Sequence, residues 1–207
     1  MNKKIIEIKE ANDRIKKNIY KTKLLEKHEI NHKFGMRVFI KPECNQKTGS
    51  FKYRGAYNFI SKLNAEKKIN SVVCFSSGNH GKAVAAVAKN FNIKSTVFMP
   101  DTAPEFKVSS IKKYNAEVIL HKGTRSSMEK RALNYAKKNN VTLIKPFDNK
   151  DIIAGQGTVG YEICEEFKEK NLKLDAVLVP CSGGGLVAGI ALAVKEEFPM
   201  AKIHSVE

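Results

Sequence analysis

Three short segments of the sequence carry residue types from which an active site could be built. The first, KTGSFKYRGAYNF (Lys47 to Phe59), places Lys52 between an aromatic residue and a Tyr-Arg pair. Ser50 is suited to cap a helix that begins just after it, so we expect Lys52 in the first turn of that helix. The helix dipole disfavours a cation there. Lys52 is therefore either an ordinary surface lysine or one with a depressed pKa, able to act as a nucleophile or to form a Schiff base.

The second segment, SSGNHGKAVA (Ser76 to Ala85), follows an apolar strand. It is not a phosphate loop of the nucleotide-binding kind, because Ser76 replaces the required glycine and Ala83 replaces the hydroxyl residue that would bind magnesium. It does offer two serines, Asn79, His80 and the free N–H groups of a helix start. Such groups can bind a carboxylate or a ring hydroxyl. A lone histidine is also commonly a capping or packing residue, and both interpretations of His80 stay open.

The third segment, PCSGGGLVAGIA (Pro180 to Ala191), places three consecutive glycines before an apolar helix. Backbone N–H groups in such a loop can converge on one anion, and the helix dipole adds to the attraction. Three glycines in a row are entropically expensive, which favours an anion site over a merely close-packed turn. The segment lacks the dinucleotide fingerprint, and no suitably placed acidic residue follows that could bind a ribose.

The elements that must position these segments are strands alternating with helices. Apolar, β-branched runs separated by amphipathic stretches predict an α/β fold with mostly parallel sheets. We expect an N-terminal helix over residues 4–20, a strand over 36–41 and a buried final strand over 202–206. The uncharged stretch 176–194 is interpreted as a strand, a glycine turn and a helix, because proline and glycines interrupt it too often for a membrane span.

Composition sets further bounds on the function. The chain has 207 residues, a net charge of +16 and 42% hydrophobic residues, which suits a soluble protein of one large or two small domains. The positive charge is mostly lysine spread over the whole chain, which favours a solvated basic surface over nucleic-acid binding. Four cysteines without a CxxC pattern and a start without an apolar signal region predict a reducing, cytoplasmic location.

Taken together and in this order, the three segments resemble the threonine dehydratase and serine racemase family of fold-type II pyridoxal-phosphate (PLP) enzymes. The similarity also includes PDTAPEFKVSSIKKYNAEV (Pro100 to Val118) and IAGQGTVGYEI (Ile153 to Ile163). The resemblance implies an α/β fold similar to the tryptophan synthase β-subunit, with two open, mostly parallel α/β domains. Residues 1–70 and 146–207 would form the larger, PLP-binding domain, and residues 71–145 the smaller one.

The resemblance also implies roles for single residues. Lys52 would form the Schiff base with PLP and remove the Cα proton, and Ser77 matches the serine that racemases use as an acid/base on the opposite face. The cofactor-binding residues implied are Phe51, Lys52, Asn79, Ser182, Gly183, Gly184, Gly185 and Leu186. The substrate-binding residues implied are Ser76, Ser77, Asn79 and His80. Glu207 matches a ligand of a divalent cation in some relatives.

The activity implied is the β-elimination of L-threonine or L-serine to a 2-oxo acid and ammonia. Serine racemisation, dehydration of a related β-hydroxy amino acid and a catalytically inactive remnant are the alternatives. Relatives continue past the position of Glu207 for roughly a third more chain, so the larger domain is expected to be incomplete here. A small amino acid is the expected partner, with a homodimer as the implied assembly, and neither nucleic acid nor a membrane is expected.

Overall fold

The computed structural model of the chain describes residues 3–207, which form eight α-helices and eight β-strands. The helices are α1 (Lys3–Ile15), α2 (His28–Phe34), α3 (Lys52–Lys67), α4 (Asn79–Asn90), α5 (Glu105–Lys112), α6 (Arg125–Lys138), α7 (Lys150–Glu169) and α8 (Gly185–Glu197). The strands are β1 (Leu25–Glu26), β2 (Phe39–Ile40), β3 (Ser71–Phe75), β4 (Lys94–Pro100), β5 (Glu117–His121), β6 (Thr142–Leu143), β7 (Ala176–Pro180) and β8 (Lys202–Val206).

A four-stranded parallel sheet in the order β5-β4-β3-β6 occupies the middle of the chain. Alternate residues of its central strands face opposite layers: Cys74 packs towards α4, whereas Val73 and Phe75 pack towards α6. Both faces are therefore covered by helices, which explains why the strands read as continuous apolar runs rather than alternating ones. Because the strands are parallel, the loops that precede α4, α5 and α6 all leave from one edge of the sheet.

A second parallel pair, β7-β8, packs against α7 and α8. The stretch 176–194 forms β7, a glycine turn and most of α8, as predicted. Within residues 3–207, no helix combines the length and the apolar composition needed to cross a bilayer. The expectation of a buried final strand is wrong, because four of the five side chains of β8 are exposed and only Ile203 is half-buried.

The region before α3 differs most from the sequence-based expectations. The first helix ends at Ile15, where a turn follows, rather than near residue 20. The strand predicted over 36–41 is reduced to β2, which pairs antiparallel with β1. Helix α2 was not predicted at all, since it buries none of its side chains and so shows no apolar periodicity.

Glycines allow α7 to contact its neighbouring helices through the backbone. A Cβ atom added to Gly155 would lie 2.6 Å from Cα of Gly55 on α3, and one added to Gly189 on α8 would lie 2.6 Å from the amide nitrogen of Gly157. Gln156 strengthens the α3 contact, because its Oε1 accepts a hydrogen bond from the Gly55 N–H at 3.2 Å. Residues 154–157 (AGQG) therefore form the surface of α7 against which α3 and α8 pack.

Buried charges reinforce the contact between α3 and α7. Arg54 is fully buried and binds Glu162 (Nη1–Oε1 2.7 Å) and Glu43 (Nη2–Oε1 2.7 Å). Lys41 lies between Glu162 and Glu166, with Nζ at 2.8 Å from an oxygen of each. Burial disfavours the charged guanidinium, but the hydrogen bonds from Glu43 and Glu162 outweigh this and raise the pKa of Arg54. A buried charge of this kind is tolerable only while its partners stay in place.

Replacing Arg54 by methionine should destabilise the chain by about 3–5 kcal/mol, because Glu43 loses its cation and Glu162 keeps only Lys41. Urea unfolding followed by circular dichroism measures the change. Lys173→Met is the matched control, since the Lys173–Asp175 pair is exposed on both sides and its loss should leave the midpoint unchanged. Equal midpoints for the two variants would contradict a stabilising role for the buried network.

Candidate active site

A cavity of about 710 Å³ lies between the carboxyl edge of the four-stranded sheet and the carboxyl ends of β7 and β8. Its size suits a small-molecule or cofactor site. It brings together every residue to which the sequence analysis assigned a role, from positions distant in the chain. Those residues are Phe51, Lys52, Ser76, Ser77, Asn79, His80, Ser182, Gly183, Gly184, Gly185, Leu186 and Glu207.

Lys52 is the first residue of α3, and its ammonium group is held inside the cavity. Nζ donates a hydrogen bond to the backbone oxygen of Pro146 at 2.7 Å and lies 5.2 Å from the centre of the Phe51 ring. Burial lowers the pKa of Lys52 to about 8, and the nearby charge of Arg125 lowers it further in the same direction. Of the two interpretations left open by the sequence, this environment agrees with the reactive lysine.

The cap expected at Ser50 is wrong. The residue before α3 is Phe51, whose backbone is already helical, and no side chain caps the helix. Ser50 is extended, as a residue ahead of a helix can be, but its buried Oγ has no hydrogen-bond partner within residues 3–207 and so caps no N–H group. Just before it, Thr48 (φ 65°) and Gly49 (φ 80°) are both left-handed, so two consecutive residues turn the chain into α3.

The loop from Ser76 to Gly78 leads into α4, whose first-turn N–H groups have no side-chain cap. Ser76 Oγ instead accepts a hydrogen bond from the Gly78 N–H at 3.1 Å. Uncapped N–H groups at a helix start that lines a cavity are suited to bind a carboxylate. The segment thus places an uncapped helix start at the cavity, and its role in binding an anion stays a prediction.

His80 lines the cavity as a neutral imidazole. Its Nε2 lies 3.1 Å from the backbone oxygen of Ile144 and must donate to it, because a carbonyl only accepts. Nδ1 is then an unprotonated acceptor, buried and without a partner in the described part of the chain. Burial lowers the pKa of His80 to about 4, with a smaller effect from the charge of Lys52. His80 therefore offers no positive charge at neutral pH.

The three glycines before α8 form a close-packed cradle. A Cβ atom on Gly183 would collide with the ring of Phe147, so only glycine fits there. Gly184 is left-handed (φ 81°) and precedes α8, which has no side-chain cap. The turn is therefore close-packed, and its residues line the cavity, whereas its use as an anion site stays a prediction. An uncapped helix start of this kind can hold a phosphate.

Two cations in the cavity wall were not identified from the sequence. Lys107 on α5 has its Nζ 3.9 Å from the position that a Cβ on Gly78 would take, and the guanidinium carbon of Arg125 lies 5.8 Å from the centre of the Phe147 ring. Both residues follow strands of the same parallel sheet as the Ser76 loop. Applying the rule that ligands bind at the carboxyl edge to β4 and β5 as well would have found them.

Glu207 lies in the cavity lining and is exposed. Within residues 3–207, no three histidine, cysteine, aspartate or glutamate side chains come together as a metal site would require. The sequence-based assignment of Glu207 as a cation ligand therefore finds no companion ligands among the described residues.

Comparison with known proteins gives consistent matches over almost the whole chain. A family model described as "Pyridoxal-phosphate dependent enzyme" matches residues 15–207. The chain is 40% identical to the L-threo-3-hydroxyaspartate ammonia-lyase of Saccharomyces cerevisiae over 97% of its own length, and 41% identical to the serine racemase of Arabidopsis thaliana over 98%. It spans 60% of the length of each of these relatives.

Solved structures agree with this result. The crystal structure of a threonine deaminase from T.th. superposes with a TM-score of 0.91 at 36% identity. That match covers 98% of this chain and 64% of the other.

Replacing Lys52 by methionine should stabilise the folded chain at pH 7 by about 1–3 kcal/mol, because a partly buried cation is removed. The unfolded lysine titrates near 10.5 and the folded one near 8, so between these values the unfolded state binds more protons and wild-type stability rises with pH. The advantage of the variant should therefore shrink from pH 8 towards pH 10.5.

Denaturant unfolding at a series of pH values measures this effect. Lys67→Met, an exposed position at the end of the same helix, is the control and should leave both stability and its pH dependence unchanged. If the Lys52 variant is no more stable than wild type at pH 7, burial of the Lys52 cation does not destabilise the folded chain.

Proposed function

The chain belongs to the family of fold-type II pyridoxal-phosphate dependent enzymes, and from this premise we propose that it acts as an ammonia-lyase. The reaction proposed is the β-elimination of a β-hydroxy amino acid such as L-threonine or L-serine to a 2-oxo acid and ammonia. The observation that carries the proposal is Lys52, a lysine whose pKa is lowered to about 8 in a cavity that two uncapped helix starts also line.

The residues of the cavity fit pyridoxal phosphate. The glycine cradle before α8 offers backbone N–H groups where a Cβ atom on Gly183 would collide with Phe147, which suits a phosphate group. Lys52 offers a primary amine that is partly deprotonated near neutral pH, and Phe51 offers an aromatic face beside it. Asn79, at the start of α4, is proposed to hydrogen-bond the ring hydroxyl. When bound, the cofactor supplies the electron sink for the electrons left by loss of the Cα proton.

Lys52 is the proposed base. With a pKa of about 8, about one molecule in ten has a neutral Nζ at pH 7, which is the form that accepts a proton from Cα. The backbone oxygen of Pro146 holds Nζ in the cavity by a 2.7 Å hydrogen bond. A base tuned towards neutral pH is more effective than an ordinary lysine, which is almost fully protonated there.

The α-carboxylate of the substrate is proposed to bind at the start of α4, between the N–H groups of the helix and the hydroxyls of Ser76 and Ser77. His80 stays neutral beside it and can accept a hydrogen bond at Nδ1. Loss of the β-hydroxyl as water gives an enamine, and hydrolysis of the enamine releases the 2-oxo acid and ammonia.

Serine racemisation is the second candidate. Ser77 lines the same cavity as Lys52 and is the residue that would exchange a proton on the other face of the substrate, although a serine at this position suits both activities. One of the relatives described above, from Arabidopsis thaliana, is a serine racemase. Because the chain spans 60% of that relative, both activities are proposed for the site rather than for these 207 residues alone. A homodimer, a cytoplasmic location and a cation at Glu207 stay predictions from the sequence.

Covalent labelling tests the proposal directly. The purified chain should bind PLP with a new visible absorption band, and borohydride reduction followed by peptide mapping should place the label on Lys52. Lys52→Ala should lose the label, whereas Lys67→Ala on the same helix should keep it. Labelling that persists in the Lys52 variant, or that never occurs in the folded wild-type chain, would overturn the proposal.

The two candidate activities separate at Ser77. If the site racemises serine, Ser77→Ala should reduce the ratio of D-serine formation to 2-oxo acid formation by about 10²-fold, because only exchange on the second face needs that hydroxyl. Chiral chromatography and a 2-oxo acid assay on the same samples give the ratio. Equal losses of both products would remove Ser77 from the role of second acid/base.

A further inference from the structure

Lysines that are far apart in the sequence come together at one edge of the four-stranded sheet. Helices α3, α4, α5 and α6 lead into β3, β4, β5 and β6 in turn, through short connections over residues 68–70, 91–93, 113–116 and 139–141. Because the four strands are parallel, all four connections meet at the amino edge of the sheet, opposite the cavity. The amino edge is therefore a surface separate from the proposed active site.

Eight exposed lysines flank these connections, two at each. They are Lys67 and Lys68 at the end of α3, Lys89 and Lys94 on either side of the second connection, Lys112 and Lys113 at the end of α5, and Lys137 and Lys138 at the end of α6. The acidic residues within 66–71, 89–94, 112–117 and 137–142 are Glu66 and Glu117. Eight cations thus stand against two carboxylates in the four segments that form the amino edge.

The lysines of the amino edge are not neutralised by the chain itself. Within residues 3–207, none of the eight has a carboxylate oxygen within 4 Å. Glu117 is engaged elsewhere, since it accepts a hydrogen bond from the Thr96 hydroxyl at 3.0 Å. Lys89 donates to the backbone oxygen of Lys113 at 3.4 Å, which brings two lysines of neighbouring connections together. A bound anion would relieve the repulsion between such like charges.

The helix dipoles account for only part of this charge. A lysine in the last turn complements the partial negative charge of a helix C-terminus, which is about half an elementary charge. Four C-termini amount to about two negative charges, so about four of the six excess positive charges remain. The outer strands of the sheet are three spacings of about 4.8 Å apart, which confines these charges to a face about 14 Å wide. Such a density of one sign attracts anionic ligands.

The residue types at the amino edge indicate which anion it suits. Lysine binds a phosphate as a point charge, whereas the four segments contain no arginine, the residue that most often reads a base. Their aromatic residues, Phe91 and Tyr114, pack against the core and so offer no open platform for stacking a base. The surface therefore suits a chain of phosphates without bases better than it suits a nucleic acid.

We propose that the amino edge binds linear inorganic polyphosphate, a flexible chain of phosphate groups. The exposed amides of Asn92, Asn115 and Asn140, which are left-handed residues in three of the connections, add uncharged hydrogen-bond donors between the lysines. This inference goes beyond the proposed function, because it concerns the edge of the sheet opposite Lys52 and requires no cofactor.

Fluorescence anisotropy with end-labelled polyphosphate tests the proposal on the wild-type chain without PLP. Binding should weaken steeply with salt, with a slope of log K against log[salt] of about −4, because each of six neutralised charges contributes about −0.7. Single-stranded poly(U), at the same concentration of phosphate, should bind at least about 10-fold more weakly, since its bases find no stacking platform.

Two variants of equal charge separate the amino edge from the basic character of the whole chain. The edge variant replaces one lysine at each connection by glutamine, at Lys67, Lys94, Lys113 and Lys138. The control variant makes the same change at four exposed lysines outside the edge, at Lys23, Lys27, Lys33 and Lys202. The edge variant should lose at least about 10-fold in affinity and show a shallower salt slope, whereas the control should stay within about twofold of wild type.

Lysine acetylation read by mass spectrometry addresses the same question without any variant. Bound polyphosphate should protect the eight lysines of the amino edge and leave the four control lysines reactive. The proposal is wrong if the chain does not bind polyphosphate or if protection lies outside the edge. Equal losses in the two variants would assign the affinity to total charge, and equally tight binding of poly(U) would assign the surface to nucleic acid, so either result also overturns it. Because no step uses PLP, failure here leaves the proposed function untouched.

Discussion

The contact between α3 and α7 is the constraint on which the site depends. Gly55 and Gly155 let the two backbones touch, and Arg54, two residues after Lys52, is fully buried against Glu162 of α7. A buried arginine is tolerated only if the carboxylates of Glu43 and Glu162 stay paired with it. Helix α3 therefore has little freedom to shift along α7. The first turn of α3 is thereby held at the cavity, and Lys52 with it.

The same arrangement creates the electrostatic character of the cavity. Two uncapped helix starts, Lys107 and Arg125 all direct positive potential into one space, while the neutral His80 adds none. Burial of Lys52 and, after it, the charge of Arg125 disfavour a proton on the Lys52 amine, and the positive potential of the cavity attracts anionic ligands.

Several features could be predicted from the sequence because they follow from local patterns. The apolar runs of β3, β4 and β5, the glycine turn before α8 and the helix starts after Gly78 and Gly184 are all visible over a few residues. The sequence-based predictions that were wrong in this region also have local causes. Helix α2 buries no side chain and so leaves no periodic signal, and the Ser50 hydroxyl is buried without a partner among residues 3–207, so it does not cap α3. The division into residues 71–145 and the rest stays a prediction.

The parallel α/β class, the family and the set of loops that converge on one cavity could all be inferred from the sequence, since parallel strands bring their carboxyl ends to a common edge. The environment of each side chain in that cavity could be obtained only from the folded chain. The pKa of Lys52 depends on its burial and on Arg125, 73 positions away in the sequence, and the neutrality of His80 depends on its burial, which outweighs the opposite effect of the Ile144 carbonyl. Such effects arise from distances between atoms remote in the chain, which residue types and spacings do not specify.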